Sequence, residues 1–224
     1  MTASDVIILG GGGHARVVLS VLRATGVQVV GFTDPSPASG AALPTEVRHL
    51  GADEVLRQFD PRHVELVNGL GSVRSTDLRA RVFDQATALG FRFHTLRHPS
   101  AIVAEDVQIE LGVQLMAGVI VQTGTRIGRN ALVNTGAILD HDCTIGDHVH
   151  VAPGAVVSGQ VTIGDRAHVG VGATIRQGIR IGAGATVGAG AVVVNDVDAG
   201  CTVVGVPARP KQAARDANQG VRGS

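Results

Sequence analysis

The sequence predicts an α/β domain with a parallel sheet, followed by a parallel β-helix of short strands, and two patterns support this prediction. In the second half of the chain, an aliphatic residue occupies every sixth position without interruption. Before it, short β-type runs alternate with helical segments around two glycine-rich turns. These patterns divide the 224 residues into an α/β domain at 1–97, a β-helix at 98–208 and a polar C-terminal tail at 209–224.

The α/β domain begins with a short apolar strand, a glycine-rich turn and an amphipathic helix that ends at Gly26. The predicted strands are 6–9, 28–32, 64–67 and 91–96. The predicted helices are 16–25, 52–58 and 75–89. Because strands and helices alternate, the strands are expected to form a small parallel sheet, which the segment 97–100 connects to the β-helix.

The six-residue repeat fits neither a helix, with a period of about 3.6 residues, nor a strand, with a period of two. It runs from Val103 to Val193, and a small or β-branched residue lies two positions before each repeated Val, Ile or Leu. Both positions are expected to point into a coil of three six-residue units, so that residues eighteen apart stack in parallel ladders. Stacking should stabilise the coils, because one coil cannot bury its apolar residues alone.

Composition excludes several classes of protein. The formal net charge is zero, with 19 basic and 19 acidic residues, so no nucleic-acid partner is indicated. The two cysteines, Cys143 and Cys201, argue against a disulfide framework, and the phase of the repeat places Cys143 inside the coil. No segment is long and apolar enough for membrane insertion, and no targeting signal is recognised, so a cytoplasmic protein is expected.

The first glycine-rich turn is typical of a nucleotide-binding site. Gly10, Gly12 and Ala15 have the G-x-G-x-x-A spacing between a predicted strand and a predicted helix, which indicates a Rossmann-like domain. The backbone N–H groups of such a turn and the helix N-terminus attract phosphate, and Asp34 follows the second strand, where a carboxylate often binds a ribose hydroxyl. Two alternatives remain: a glycine turn without a ligand, and an NAD-dependent enzyme, although the sheet is short for two nucleotide-binding halves.

Histidines in the repeat give the second functional signal. The phase of the repeat places His141 at a corner and His150 on an outer strand face, with His168 stacked on His150 and Asn134 on the same face. His141 and His150 should not meet within one chain, but they could meet across a subunit interface, which predicts a homotrimer with active sites between subunits. His148 is expected to be a surface residue, and the role of His168 is left open.

Two further interpretations belong to other classes of function. Histidines on β-helix faces bind zinc between subunits in the gamma-class carbonic anhydrases, but the spacing here matches no metal-ligand motif, and no metal is expected. A non-catalytic nucleotide-binding scaffold is the other interpretation. It would not need a His-Asp pair at one corner of the β-helix.

The combined motifs resemble those of the nucleotide-sugar acetyltransferases of the sialic-acid, bacillosamine and perosamine pathways. The motifs that carry the resemblance are Gly10–Ala15, Thr33–Pro35, His98–Ala101, the unbroken repeat, Asn134–Gly136, His141–Cys143, His150 and Val204–Ala208. The resemblance covers nearly the whole chain. It implies a left-handed β-helix of hexapeptide repeats, acetyl-CoA as the donor, an amino group on a nucleotide-linked sugar as the acceptor, and a homotrimer.

The resemblance also implies a direct transfer without a covalent enzyme intermediate. His141 would be the general base, because imidazole titrates near neutral pH, and Asp142 would orient it. Relatives often carry Glu at the position of Asp142, so the shorter carboxylate is expected to need a water molecule or a shifted backbone to reach the imidazole. The favoured acceptor is the 4-amino group of GDP-perosamine, and the next is a UDP-linked 4-amino sugar. O-acetylation of a sialic acid is the alternative reaction.

The binding residues follow from the same resemblance. The nucleotide sugar is expected to contact Gly11, Gly12, Gly13, His14, Thr33, Asp34, Pro35, Gly71 and Ser72. Acetyl-CoA is expected to lie between neighbouring β-helices. The residues expected near its thioester and near the oxyanion are Asn134, His150, Gly170, Ala173 and Gly188.

Overall fold

The computed structural model describes residues 5–36, 43–72 and 75–211. The α/β domain contains β1 (Asp5–Leu9), α1 (Gly13–Ala24), β2 (Val29–Thr33), β3 (His49–Gly51), a 3-10 helix (Asp53–Gln58), β4 (Val64–Asn68) and α2 (Asp77–Ala88). The four strands pair in parallel in the order β3-β2-β1-β4. Because side chains alternate along β1, Val6 and Ile8 share a core with α1, whereas Ile7 and Leu9 share one with Phe83 of α2.

The structure confirms the α/β prediction and corrects three of its elements. The helix expected at 52–58 is a 3-10 helix, and β3 was not predicted. The strand expected at 91–96 does not form, since Phe93 makes only an isolated bridge to Leu66. The strand found there, Leu96–Arg97, pairs instead with Gln114–Leu115 of the β-helix.

The six-residue repeat forms a left-handed parallel β-helix, as expected, and its strands fall into three sheets. The domain-facing sheet contains β5 (Leu96–Arg97), β8 (Gln114–Leu115), β11 (Leu132–Val133), β14 (His150–Val151), β17 (His168–Val169), β20 (Thr186–Val187), β22 (Thr202–Val204) and β23 (Arg209–Pro210). The aliphatic sheet contains β6 (Ile102–Val103), β9 (Ile120–Val121), β12 (Ile138–Leu139), β15 (Val156–Val157), β18 (Thr174–Ile175) and β21 (Val192–Val193). The polar sheet contains β7 (Gln108–Ile109), β10 (Arg126–Ile127), β13 (Thr144–Ile145), β16 (Thr162–Ile163) and β19 (Arg180–Ile181).

The interior of the β-helix follows the predicted phase. The repeated aliphatic residues from Leu115 to Val193 are buried, and so are the small residues two positions before them, including Cys143 and Ala173. Strands eighteen residues apart are paired without a shift, as His150 is with His168. The outward positions differ between the sheets, since the aliphatic sheet presents mainly Ile and Val, whereas the polar sheet presents Gln, Arg and Thr.

The α/β domain packs against the domain-facing sheet and against the corner between the polar sheet and the domain-facing sheet. At that corner, Asn130, His148 and Arg166 have positive φ angles between 54° and 60°, which is uncommon for residues other than glycine. The ring of Phe83 meets the His148 ring edge-on at a centroid distance of 5.5 Å. His148 is only 5% exposed, so the expectation of a surface residue is wrong. The reason is that α2 covers this corner, a long-range contact that the repeat pattern does not contain.

A buried hydrogen-bond network joins the two domains. Arg79 of α2 is fully buried and donates to the carbonyl oxygens of Asn68, Leu70 and Asn130. The side chain of Asn68 donates to the Asn130 side chain and to the Arg79 carbonyl. Since Asn68 and Leu70 belong to the second glycine-rich turn, the network fixes this turn against the β-helix.

Replacement of Ile163 by Ala should destabilise the β-helix by about 2–5 kcal/mol, because the side chain is buried and its removal leaves a cavity. The neighbouring Thr162 is exposed, so Thr162→Ala should change the free energy of unfolding by no more than about 0.5 kcal/mol. Chemical denaturation at one protein concentration measures both. Equal effects of the two substitutions would contradict the assignment of inward and outward positions.

Candidate active site

A cleft of about 540 Å³ lies between the two glycine-rich turns and the β-helix. One wall comprises Gly12, Gly13 and His14 of the first turn and Gly69–Ser72 of the second. The opposite wall is formed by the domain-facing sheet and by the corner between this sheet and the aliphatic sheet. The β-helix residues of this wall are Asn134, His150, Ala152, Pro153, His168, Gly170, Val171 and Thr186–Ala189. Most of the expected binding residues therefore meet at one place.

Asp34 lies behind the first glycine-rich turn and does not line the cleft. One carboxylate oxygen accepts a hydrogen bond from the backbone N–H of Gly11 at 2.8 Å, and the other accepts one from Ser36 at 2.9 Å. Thr33 is buried and hydrogen-bonds to Asp53, and Pro35 is exposed beside it. In this arrangement Asp34 holds the glycine turn in place, whereas the sequence suggested contact with a ribose.

His14 projects from the start of α1 toward the β-helix. Its Nε2 atom is 2.9 Å from Oε1 of Gln114, and the Gln114 amide nitrogen donates to the Asn68 carbonyl at 2.7 Å. Because the Gln114 oxygen can only accept, His14 Nε2 carries the proton. Burial lowers the pKa of His14 to about 4, with a contribution from Arg79, so the ring is neutral near pH 7. The first glycine turn is thereby tied to the same network as the second.

Four polar side chains meet at the centre of the cleft. Ser72 Oγ is 2.6 Å from Nδ1 of His150 and 3.3 Å from Nδ1 of His168. Nε2 of His150 is 3.2 Å from the amide nitrogen of Asn134. Burial lowers the pKa of His150 to about 2 and also lowers that of His168. Both ring nitrogens of His150 are engaged, so this residue offers no free N–H to an oxyanion.

His141 and Asp142 lie at another corner, between the aliphatic and polar sheets, and do not line this cleft. Nδ1 of His141 is 2.8 Å from Oδ2 of Asp142. The two side chains are 40% and 57% exposed. The hydrogen bond to Asp142 raises the pKa of His141. The expected bridging water molecule is not needed, because the Asp142 carboxylate contacts the imidazole directly.

Two glycines at this corner make room for the pair. A Cβ atom on Gly159, one coil further on, would overlap the His141 ring. A Cβ atom on Gly124, one coil earlier, would overlap the Asp142 carboxylate. Sequence reasoning missed both glycines. The signal was their spacing of eighteen residues from His141 and Asp142.

The remaining expected residues take different places. Cys143 is buried, its thiol donates to the Ser158 carbonyl, and burial raises its pKa, so the thiol is protonated near neutral pH. Ala173 is buried inside the coil, where its side chain cannot contact a ligand. Gly170, Gly188 and Asn134 line the cleft.

The described residues contain neither a cluster of metal ligands nor a membrane-spanning helix. Within 5–36, 43–72 and 75–211, no group of three His, Cys, Asp or Glu side chains is close enough to bind one metal ion. In the same residues, no helix has the length and apolarity needed to cross a bilayer.

Family models match most of the chain. Residues 5–86 match the PglD N-terminal domain. Residues 124–159 match the bacterial transferase hexapeptide (six repeats), and residues 160–194 match the hexapeptide repeat of succinyl-transferase. No curated protein sequence matches the chain significantly.

Several solved structures share the whole two-domain fold. A histidine-to-asparagine mutant of perosamine N-acetyltransferase from Caulobacter crescentus, in complex with CoA and GDP-perosamine, is 37% identical, with 94% of this chain and 98% of that chain covered and a TM-score of 0.86. The acetyltransferase domain of PglB from Neisseria gonorrhoeae FA1090, in complex with acetyl coenzyme A, is 34% identical, with 92% and 98% covered and a TM-score of 0.85. WeeI from Acinetobacter baumannii AYE is 26% identical, with 93% and 100% covered and a TM-score of 0.83.

Replacement of Gly159 by Ala should displace the His141 ring and break its contact with Asp142, so that the pKa of His141 falls toward its ordinary value of 6.5. An NMR titration of the histidine side chains measures this pKa. Gln177 lies at the same corner one coil further on and is exposed, so Gln177→Ala should leave the titration unchanged. An unaltered His141 titration in Gly159→Ala would show that the glycine does not position the ring.

Proposed function

We propose the substrates and the catalytic base of this chain, which belongs to the hexapeptide-repeat family of nucleotide-sugar N-acetyltransferases and is an acyltransferase. The chain transfers the acetyl group of acetyl-CoA to the 4-amino group of a nucleotide-linked amino sugar. GDP-perosamine is the favoured acceptor, because the perosamine N-acetyltransferase structure contains it, and a UDP-linked 4-amino sugar is the next candidate. The observation that carries the proposal is the exposed His141–Asp142 pair, with its direct 2.8 Å contact.

The reaction begins when the neutral sugar amine attacks the thioester carbonyl carbon. Nε2 of His141 accepts the amine proton, and Asp142 stabilises the resulting imidazolium through the hydrogen bond to Nδ1. The tetrahedral intermediate then collapses, the carbon–sulfur bond breaks, and the CoA thiolate takes a proton from the imidazolium. Cys143 takes no part, because its thiol is buried and protonated.

The interdomain cleft is the proposed site of the nucleotide sugar. Its glycine turns present backbone N–H groups, and the N-terminus of α1 favours the negative charge of a diphosphate. The buried guanidinium of Arg79 lies behind the second turn and has no carboxylate partner among the described residues. This uncompensated positive charge also favours an anionic ligand.

In the proposed site, His141 and the cleft come from different subunits, and the absence of His141 from the cleft of its own chain supports this. The outward residues of the aliphatic sheet supply a surface for assembly. They are Ile102, Ile120, Ile138, Val156, Thr174 and Val192. This face extends from the corner beside the cleft to the corner of His141, so a second copy packed on it can bring the two together. We propose a homotrimer with acetyl-CoA bound between neighbouring β-helices.

An acceptor screen tests the activity directly. Release of the CoA thiol is measured with acetyl-CoA and a panel of GDP- and UDP-linked 4-amino sugars, with sialic acid as the acceptor for O-acetylation. Thiol release that depends on a 4-amino sugar is expected. The absence of release with every acceptor would contradict the proposed function.

The pH profile tests the base. The rate should rise as His141 loses its proton, and the raised pKa places this rise above pH 6.5. Asp142→Asn removes the negative charge that stabilises the protonated ring, so the rise should move to lower pH while kcat falls. His141→Asn should lower kcat by about 10²–10⁴-fold at all pH values. Because the substrate amine titrates equally in every variant, a profile that does not move in Asp142→Asn would contradict the assignment.

Mixed oligomers test the shared site. Gly12→Trp should block the cleft without a clash in the free chain, since the space around Gly12 is open. His141→Asn and Gly12→Trp should each be inactive, but their co-expressed mixture should regain about one quarter of the wild-type activity, because sites between subunits then combine two intact halves. A mixture without activity would place the whole site in one chain.

A further inference from the structure

We propose that His168 donates a hydrogen bond from its Nε2–H group to an acceptor oxygen of the nucleotide sugar, and that Asn134, His150 and Ser72 fix its ring in the tautomer that allows this. The inference deepens the proposed function and rests on it, since the cleft is taken as the nucleotide-sugar site. The role of this histidine follows from the direction of four successive hydrogen bonds.

The first bond sets the orientation of the Asn134 side chain. The Asn134 amide oxygen accepts the backbone N–H of Thr135 at 2.8 Å. A backbone N–H can only donate, so the atom that faces it must be the oxygen. The amide nitrogen of Asn134 therefore points to His150 and donates to its Nε2 atom at 3.2 Å.

The third and fourth bonds pass through Ser72. Since Nε2 of His150 accepts and burial keeps this ring neutral, the ring proton lies on Nδ1 and is donated to Ser72 Oγ at 2.6 Å. The Ser72 hydroxyl must then direct its own proton elsewhere. It donates to Nδ1 of His168 at 3.3 Å.

The last step leaves one N–H group without a partner. With Nδ1 accepting, neutral His168 carries its proton on Nε2, and no hydrogen bond to this nitrogen forms within the described residues. The His168 ring lines the cleft and packs edge-on against the His150 ring at a centroid distance of 5.0 Å. The rings of His150 and His168 therefore have different roles. His150 connects the domains, and His168 presents a fixed donor to the ligand.

The expected ligand atom is an oxygen. An N–H donor recognises a sugar hydroxyl, a sugar ring oxygen or a diphosphate oxygen, and does not recognise an ammonium group. This donor is preorganised, because its tautomer is set by backbone geometry at Thr135 and does not depend on the ligand.

The tautomers can be measured without any substrate. Two-bond ¹H–¹⁵N correlation spectra of the full chain distinguish a proton on Nδ1 from one on Nε2. The expected pattern is Nδ1–H for His150 and Nε2–H for His168, and Ser72→Ala should abolish the single tautomer of His168. The opposite pattern, or a His168 tautomer that is unaffected by Ser72→Ala, would overturn the inference even if the proposed function holds.

A matched pair of substitutions tests the contact with the ligand. The amide nitrogen of Gln can replace Nε2 of histidine, whereas the shorter Asn reaches only the Nδ1 position. His168→Gln should therefore retain most of the affinity, and His168→Asn should weaken binding of the nucleotide sugar by roughly three- to tenfold. Both variants should unfold at similar temperatures, and the KM for acetyl-CoA should not change.

Calorimetric titration with GDP, UDP, GDP-perosamine and a UDP-linked 4-amino sugar separates the two sources of the oxygen. Weaker binding of the nucleotide and the nucleotide sugar alike in His168→Asn would place the contact on the diphosphate. Weaker binding of the nucleotide sugar alone would place it on the sugar. Equal affinities of His168→Asn and the wild type for all four ligands would overturn the inference. If the wild type binds a nucleotide sugar but releases no thiol, the proposed function is refuted, whereas the inference about His168 is not.

Discussion

Each coil of the β-helix is hydrogen-bonded to the next through backbone groups, as when His150 N donates to Ala167 O and His168 N donates to Ala185 O. These bonds hold residues eighteen apart in register, and a slip by one residue would exchange the inward and outward side chains. The aliphatic interior opposes such a slip. Every functional side chain of the β-helix therefore keeps a fixed height and a fixed face, and only the three sheet faces and the three corners remain available for chemistry.

The α/β domain uses one face and one corner of this scaffold. Helix α2 covers the corner of His148, and the second glycine-rich turn crosses the domain-facing sheet to reach His150 and His168. The corner between the domain-facing and aliphatic sheets forms part of the cleft wall. The corner between the aliphatic and polar sheets carries His141 and Asp142. The domain thus occupies the side of the β-helix away from His141 and Asp142. This separation is the physical reason for proposing that a second subunit completes the site.

Periodicity in the sequence was enough to predict what depends on local geometry. It placed Cys143 inside and His141 at a corner, and it stacked His168 on His150. It could not predict contacts between residues far apart in the chain. His14 meets Gln114 across 100 positions, and Ser72 meets His168 across 96. The error at His148 has the same cause, since helix α2, which covers this residue, lies far from it in the chain.

The histidines of the cleft and the histidine at the exposed corner differ in environment. In the cleft, burial lowers the pKa values of His14, His150 and His168, so these rings stay neutral and serve as fixed hydrogen-bond partners. At the exposed corner, the carboxylate of Asp142 raises the pKa of His141. Environments that separate pKa values in this way assign different roles to residues of one type. Near neutral pH, a proton can therefore be taken up at His141 while the hydrogen bonds among the neutral rings of the cleft remain unchanged.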